Sequence, residues 1–528
     1  MPRKKNCLGL CLILPLLACL AAGCVKVGPD FVRPEAPVAE KWLESDDKRV
    51  KMESAEHREW WRAFKDPLLD RLVNKAYEDN LTLQIAGVRV LEARAQLGVA
   101  TGNLYPQTQQ FTGAVEKNRT SAHAPLVAPR QALGYFQSSL LLGVSWEIDF
   151  WGKFRRAIES ADAGLLASIA DYDNALVSLI GDVANSYINI RTFEKRLEIA
   201  RQNVKVQRES LQIADARFLG GTTSQRDVEQ ANTVLFNTEA SIPSLEAQWR
   251  QAKNALCVLL GLPPNPLQEL LKGTADIPSP GPQVAVGIPV DLLRRRPDIR
   301  SAEFKAAAQC AKIGVAKADL FPAFSLTGNF GFLAGDTGHN NLSQMFSWRS
   351  RTGLFNPTLT WNIFNYGQIT NNVRVQDAQF EGLILSYKNT VLNAQKEVED
   401  ALIAFLKSQE RAQFLAESAA AAQRSLDLAI IQYREGMTDF TTVLTAQQNL
   451  LSEQDSLATT LGVIANSLVG VYKALGGGWQ IREGQDFIPD NIKEAMAKRT
   501  NWGKLLTPAS HTPKETDKPK ALIRPPDW

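Results

Sequence analysis

The chain is written twice. IAGVRVLEARAQLGVATGNLYP, residues 85–106, aligns with SAEFKAAAQCAKIGVAKADLFP, residues 301–322, at an offset of 216. After one insertion or deletion the offset settles at 215, carrying Gly152 onto Gly367, Phe218 and Gly221 onto Tyr433 and Gly436, and Leu260-Gly261 onto Leu475-Gly476. A register held that far fixes the architecture: whatever the first half folds into, the second half repeats. Between the copies, the prolines and glycines of residues 262–283 break any regular element.

No proline lies within residues 153–219 or 368–435, and both stretches read as helix. At 1.5 Å per residue each is on the order of 100 Å long, far beyond an ordinary domain. Ile190, Phe193, Leu197, Ala200, Val204, Gln207, Leu211, Ala214 and Phe218 keep an alternating three-four spacing. The same positions in the second copy are Phe405, Ser408, Ala412, Leu415, Ala419, Ala422, Leu426, Ala429 and Tyr433. This is a coiled-coil seam with one polar exception per copy, Gln207 and Ser408. The spacing resumes on a returning helix from Val228 to Leu259, so each copy ends in a long helical hairpin. At the turns, Gly220 and Gly221 stop the first helix, and Ser224 with Asp227 predicts a capping-box-like start to the next; Gly436 and Asp439 repeat both signals.

Before each hairpin the period changes to two. FQSSLLLGVSWEIDF, residues 136–150, puts Phe136, Leu140, Leu142, Val144, Trp146, Ile148 and Phe150 on one face and a mostly polar set on the other. Strands are expected at about 107–117, 136–150, 323–333 and 352–364, the first having the weakest pattern. Strands of this length with a greasy face suit a bilayer-spanning barrel, but four cannot close one. Two chains would give eight strands around a filled interior, and three would give twelve around a pore. A soluble sandwich is the other reading of the alternation.

At the amino terminus Arg3, Lys4 and Lys5 precede a short apolar run ending LACLAAGC. The run is too short to span a bilayer and reads as a signal peptide over residues 1–23. The small residues before Cys24 resemble a bacterial lipobox, in which the thiol takes a diacylglycerol and becomes the new terminus; a cut before Cys19 and plain secretion are the alternatives. Removal of the leader takes away the whole formal charge of +3. A neutral mature chain argues against nucleic acid as a partner. It keeps only Cys257 and Cys310 besides Cys24, expected as buried thiols, with a bridge between them as the minor reading.

The chain resembles the TolC-like outer-membrane efflux ducts, in their lipoprotein branch serving resistance-nodulation-division pumps. The matching stretches are GCVKVGPDFVRPEAPV, WWRAFKDPLLDRLV, LYPQ, SWEIDFWGKFRRAIESA, LLRRRPDIRSAE, DLFPAFSLTG and both helical tips. The fold class expected is mainly α with a transmembrane β part. The resemblance implies a homotrimer with a twelve-stranded barrel in outer-membrane lipid, a twelve-helix periplasmic tunnel, a periplasmic adaptor protein and an inner-membrane pump. It places Gly220, Gly221, Thr222, Thr223 and Ser224, with Gly436, Met437, Thr438 and Asp439, at adaptor-docking tips. It places Thr441, Thr445 and Gln448 at the aperture. Some relatives have an aspartate where this chain has Thr445 and an arginine where it has Gln448, so closure here is expected from packing and neutral hydrogen bonds. Val25, not aspartate, follows Cys24, consistent with an outer-membrane destination.

The domains expected are a lipid-anchored segment at 24–64, the first repeat at 65–261, a linker at 262–290, the second repeat at 291–478 and a disordered tail at 479–528. Glu147 and Asp149 lie on the polar strand face as lumen candidates, with ordinary surface carboxylates as the equal alternative. Arg294, Arg295 and Arg296 read as a solvated lead into a helix. His57, His123, His339 and His511 have no metal-ligand spacing, and neither a phosphate-binding loop nor a Gly-x-Ser-x-Gly turn occurs. No enzyme, cofactor or metal is expected. The function expected is a passive export channel, with a pore-less lipid-anchored scaffold as the alternative.

Overall fold

A computed structural model describes residues 26–53, 57–121, 134–272, 276–336 and 341–507. Cys24 and its leader, His123, His339 and His511 lie outside the described residues. The first copy runs α1 (Pro67–Asp79), α2 (Leu81–Gly102), β2 (Thr108–Arg119), β3 (Gly134–Ile148), α3 (Lys153–Leu219) and α4 (Gln225–Leu259). The second follows a short α5 (Leu292–Arg295) with α6 (Pro297–Ala318), β5 (Ala323–Gly335), β6 (Arg351–Thr360), α7 (Gln368–Arg434) and α8 (Phe440–Ala474). A small parallel pair, β1 (Val50–Lys51) with β4 (Val284–Ala285), ties the amino-terminal segment to the linker, and α9 (Asp490–Arg499) follows the second copy.

The duplication holds element by element. The paired helices α2 and α6 have 22 residues each, α3 and α7 have 67, and α4 and α8 have 35. Backbone devices recur at the same offset. Gly221 (φ 71) and Gly436 (φ 78) each end a long helix. Thr222 N donates to Arg217 O at 2.9 Å, and Met437 N to Gln432 O at 2.8 Å, the long bond of a Schellman stop.

Helix α3 is the spine, packing against α2, α4, α6 and α8. Its upper half joins Trp42, Trp60, Trp61, Phe64, Tyr387 and Phe405 in the main core. Two stretches, in α3 and α8, are long and apolar enough to cross a membrane, but half or more of each is buried inside the protein. The seam on α3 is closed over most of its length, with Ile190, Leu197, Ala200, Val204 and Ala214 buried, and opens at the tip, where Phe218 is 40% exposed. On α7 the middle of the seam is only half covered, and Phe414, Leu428 and Ile431 stand 70, 59 and 54% exposed.

Three differences from the sequence reading have physical causes. The last strand stops at Thr360, which pairs with Ala323, because Pro322 has no N–H with which to extend the ladder. Trp361 instead turns its indole N–H to Leu320 O at 3.0 Å. The tail is not disordered over 479–507: Ile488 and Met496 pack on Leu91, and Arg482 reaches Asp173 inside α3. Arg296 is 7% exposed, not solvated; it chelates Asp298 and donates to Ala474 O at 2.7 Å, capping α8. Cys257 and Cys310 are, as expected, both free and buried, each facing a backbone carbonyl.

His57 is buried beside Tyr472 and Trp60, with neither ring nitrogen partnered. Burial first, then the nearby Arg295 charge, lowers its pKa from 6.5 to about 4. The unfolded chain therefore binds the proton first, and the stability owed to neutral His57 is complete above pH 6.5 and lost as pH falls to about 4. The loss expected is roughly 3 kcal/mol. Denaturant midpoints across that window should fall with acidity, and His57→Phe should flatten this part of the slope.

Candidate functional site: sheet, neck and hairpin tips

The four long strands form one antiparallel sheet in the order β2-β3-β5-β6, so the two copies meet at β3–β5, and among the described residues the outer edges of β2 and β6 pair with no other strand. Register sorts every side chain. Leu142 lies opposite Phe111 and Phe330, and Val144 opposite Gly328, which in turn lies opposite Phe355. Because directly opposed residues share a face, one face collects Phe111, Val115, Phe136, Leu140, Leu142, Val144, Trp146, Ile148, Phe324, Leu326, Phe330, Phe332, Phe355 and Leu359. The reverse face carries Gln110, Thr112, Gln137, Ser139, Ser145, Glu147, Ser325, Thr327, Asn329, Asn356 and Thr358, with Leu141, Leu333 and Leu354 as its apolar members. Phe111, Phe355 and Leu142 are 68, 74 and 51% exposed, so the middle of the apolar face has no protein layer over it, while Met345 and Phe346 cover its far end at Ser138 and Phe332. A sandwich would cover that face.

Below the sheet, Trp151 stacks on Phe321 with ring centroids 4.6 Å apart, and Phe150 meets Phe324 at 5.4 Å. Here the two lumen candidates part. Asp149 is withdrawn, its side chain 6% exposed, accepting from Phe154 N at 3.0 Å and Arg155 N at 3.1 Å and pairing with the Arg155 guanidinium at 2.9 Å. It caps α3 at its positive end and is spent there. Glu147 stays on the polar face, 3.8 Å from Lys153, which also pairs with Asp319 at 2.9 Å. These groups line a cavity of about 440 Å³ at the junction of sheet and helices.

At the far end the two hairpins pack as one. Ala214, Val234, Leu426, Tyr433, Phe440 and Val443 come from all four long helices. The tip residues Gly220, Gly221, Thr223, Gly436, Met437 and Asp439 sit on two adjacent turns. Arg217 joins them: it donates to Tyr433 O and, at 3.3 Å, to Arg434 O, with its guanidinium 4.7 Å from the Tyr433 ring centre. It thus neutralises the carbonyl end of α7. Arg217→Ala should cost about 1–3 kcal/mol locally. Amide hydrogen exchange at 433–437 should quicken roughly tenfold or more, and unchanged exchange would show that the contact carries nothing.

The start of α4 differs from expectation. Ser224 makes no capping bond; Thr223 donates to Asp227 instead, taking the carboxylate a capping box would use. Asp439 does cap α8, accepting from Thr442 N at 3.1 Å, and Thr438 reaches Thr442 Oγ1 at 3.0 Å. Thr441, Thr445 and Gln448 form one exposed stripe on α8. The Thr445 hydroxyl donates to Thr441 O at 2.9 Å and keeps only acceptor capacity for a neighbour. Sequence reasoning missed Arg217, which carries no periodic signal. Among the described residues no group of three or more His, Cys, Asp and Glu side chains could hold a metal ion.

A sheet with one lipid-compatible face, continuous with paired helices of such length, defines a membrane duct with a long helical extension. The chain belongs to the family described as Outer membrane efflux protein, whose sequence profile matches residues 72–262 and 288–477, once per copy. Nodulation protein T of Rhizobium leguminosarum bv. trifolii is 31% identical over 469 residues, covering 88% of this chain and 97% of that protein. Pyoverdine export outer membrane protein OpmQ of Pseudomonas putida is 32% identical over 435 residues, covering 81% and 90%. The solved outer-membrane channel OprN superposes with a TM-score of 0.79 at 33% identity, covering 86% of this chain and 99% of that one. The chain is an outer-membrane efflux channel, and its kin are transport proteins.

Proposed function

We propose that three copies of this chain form one passive export duct, each lending four strands to a twelve-stranded barrel and four long helices to a periplasmic tunnel. The observation that carries this reading is the sheet with an apolar face bare over its middle, a polar reverse face and two edge strands that pair with no other strand among the described residues. Edges unpaired in lipid cost several kcal/mol per exposed backbone group, so β6 of one copy joins β2 of the next. With strands ~4.8 Å apart and tilted ~40°, eight would give a backbone radius of roughly 8 Å and twelve roughly 12 Å. Only the larger ring keeps an open lumen once side chains fill its rim. The half-covered α7 seam supports the same arrangement, because a neighbouring copy would bury it.

The amino-terminal strap supports Cys24 as the acyl tether. Val27 N donates to Trp151 O at 3.1 Å, and Arg156 holds Val27 O and Gly28 O at 3.0 and 2.9 Å. Val27, three residues after Cys24 in the sequence, is thus fastened to the aromatic rim below the sheet. At the opposite end Leu219 and Met437, 85 and 70% exposed, suit docking of a periplasmic adaptor, which connects to an inner-membrane resistance-nodulation-division pump. Thr441, Thr445 and Gln448 line the aperture, closed by packing and neutral hydrogen bonds. Glu147 faces the lumen. The relatives' names differ in what they concern, so the pump sets the cargo.

Purified protein in planar bilayers tests the pore. Steady ion conductance from the folded oligomer is expected, rising on Thr445→Ala. No conductance would favour the pore-less scaffold, which no observation supports at present, since a scaffold has no use for an uncovered apolar sheet face. An unchanged current in Thr445→Ala would remove that residue from the aperture.

A further inference from the structure

We propose that each joint between neighbouring copies carries a binding site for a lipid with a phosphate-bearing headgroup, at the end of the sheet far from the helices. The site rests on the ring of copies proposed above, and its geometry follows from the duplication. The two hairpins share one register: Thr108 opposite Ser145 and Phe111 opposite Leu142 recur 215 residues on as Ala323 opposite Thr360 and Leu326 opposite Pro357. The joint inside the chain sets Leu140 opposite Phe332 and Ser138 opposite Ala334. Repeated between chains at the same offset, it sets Phe355 opposite Lys117 of the next copy and Gly353 opposite Arg119 of the next copy. The repeat also fits where β6 ends. Trp146 and Ile148 are strand only through their pairing with β5, and their counterparts Trp361 and Ile363 have no such neighbour among the described residues and are irregular.

That register gathers positive charge on the lipid side. Lys117 and Arg119 alternate with Val115, and Arg351 lies opposite Phe332, so all three share the apolar face. Within one chain Lys117 and Arg351 sit on opposite edges of the sheet. Across the joint, Arg351 and Arg119 flank Gly353, which puts no side chain between them, and Arg349 stands two residues from Arg351. All four cations are exposed. Lys117 lies 5.5 Å from the Phe136 ring centre, and Arg351, 4.6 Å from that of Trp348, spends one N–H on Trp348 O at 2.9 Å. Residues 117–146 and 337–376 contain no Asp or Glu. The adjoining acids are Glu116, on the reverse face opposite Gln137, and Asp336, whose N–H donates to Phe136 O at the β3–β5 joint, so the joint between copies keeps a positive excess. Along β3 the apolar face runs from Ile148 to Phe136, roughly 30 Å of height at ~3.3 Å per residue and ~40° tilt, which sets these cations where acyl chains give way to headgroups. A phosphate there meets two guanidinium forks, and Phe346 and Trp348, 72 and 68% exposed, lie beside the chains below it.

The test is native mass spectrometry of the delipidated full protein in detergent, titrated with phosphatidylglycerol, with phosphatidylcholine of the same acyl chains, and with inorganic phosphate. Retention of phosphatidylglycerol on the assembled ring is expected, ~10-fold tighter than that of phosphatidylcholine, whose choline offsets its phosphate. Arg119→Gln combined with Arg351→Gln should remove the preference, and each alone should weaken it several-fold. Should the double variant fail to assemble, the single ones decide. Arg424→Gln, at an exposed position of α7 far from the sheet, should leave the preference unchanged. Inorganic phosphate in excess should not displace the lipid, because it has no acyl chains to seat. Equal retention of the two lipids, an unchanged preference in the Arg119 and Arg351 variants, an equal loss in Arg424→Gln, or displacement by phosphate alone would overturn the proposal. The same spectra count chains, so three copies with no lipid preference sink this inference and leave the ring intact, whereas a monomer overturns the ring itself.

Discussion

Leu142→Arg should prevent the barrel from forming in lipid, whereas Ser139→Arg, three residues away on the same strand, should not. Leu142 is at the middle of β3, between Phe111 and Phe330 on the apolar face. A cation at mid-bilayer on the lipid face costs ~2–4 kcal/mol, and a ring of three copies would carry it three times. Ser139 lies opposite Ala114 and Leu333 on the reverse face, where water would solvate the new charge. Refolding yield into phosphatidylcholine vesicles measures the difference. Ser139→Arg should refold like the parent and conduct anions more readily; equal yields for both variants would contradict the assignment of faces.

Asp173→Asn should be the most damaging single change away from the sheet. Asp173 is fully buried on α3, pairs with both nitrogens of the Arg482 fork and lies 3.7 Å from Arg300. Burial pushes its pKa up, while hydrogen bonding and charge from Arg482 pull it down. Removing the charge strands two guanidiniums in the interior, at an expected cost of about 3–5 kcal/mol. Arg482→Met in the same background should recover part of it, since an apolar replacement no longer needs the carboxylate. An unfolding free energy within ~0.5 kcal/mol of the parent's would mean that the folded segment 479–507 is not clamped through this pair.

How much of this could be read from sequence depended on whether a residue's role is periodic. The long helices and their stops were legible because Gly221 and Gly436 occupy a backbone region that other residues avoid, and because the 215 offset repeats the demand. The strands were legible from alternation, although their pairing order β2-β3-β5-β6 was not, since it depends on contacts between copies. Roles set by single long-range bonds escaped. Arg296 read as solvated because its partner, Ala474 O, is a backbone atom on a distant helix. Asp149 followed the strand's alternation on paper, yet the strand ends at Ile148 and the next turn recruits it as a cap. The tail's proline and lysine are concentrated in residues 508–528, outside the described residues, and said little about 479–507, where Ile488, Met496 and Arg482 fasten the chain.

Native mass spectrometry of the full protein released from detergent tests the central claim most directly, because it counts chains with no assumption about conduction. A particle of three copies is expected, with edge strands joined in one ring. A stable monomer, soluble in water without detergent once residues 1–24 are removed, would contradict it.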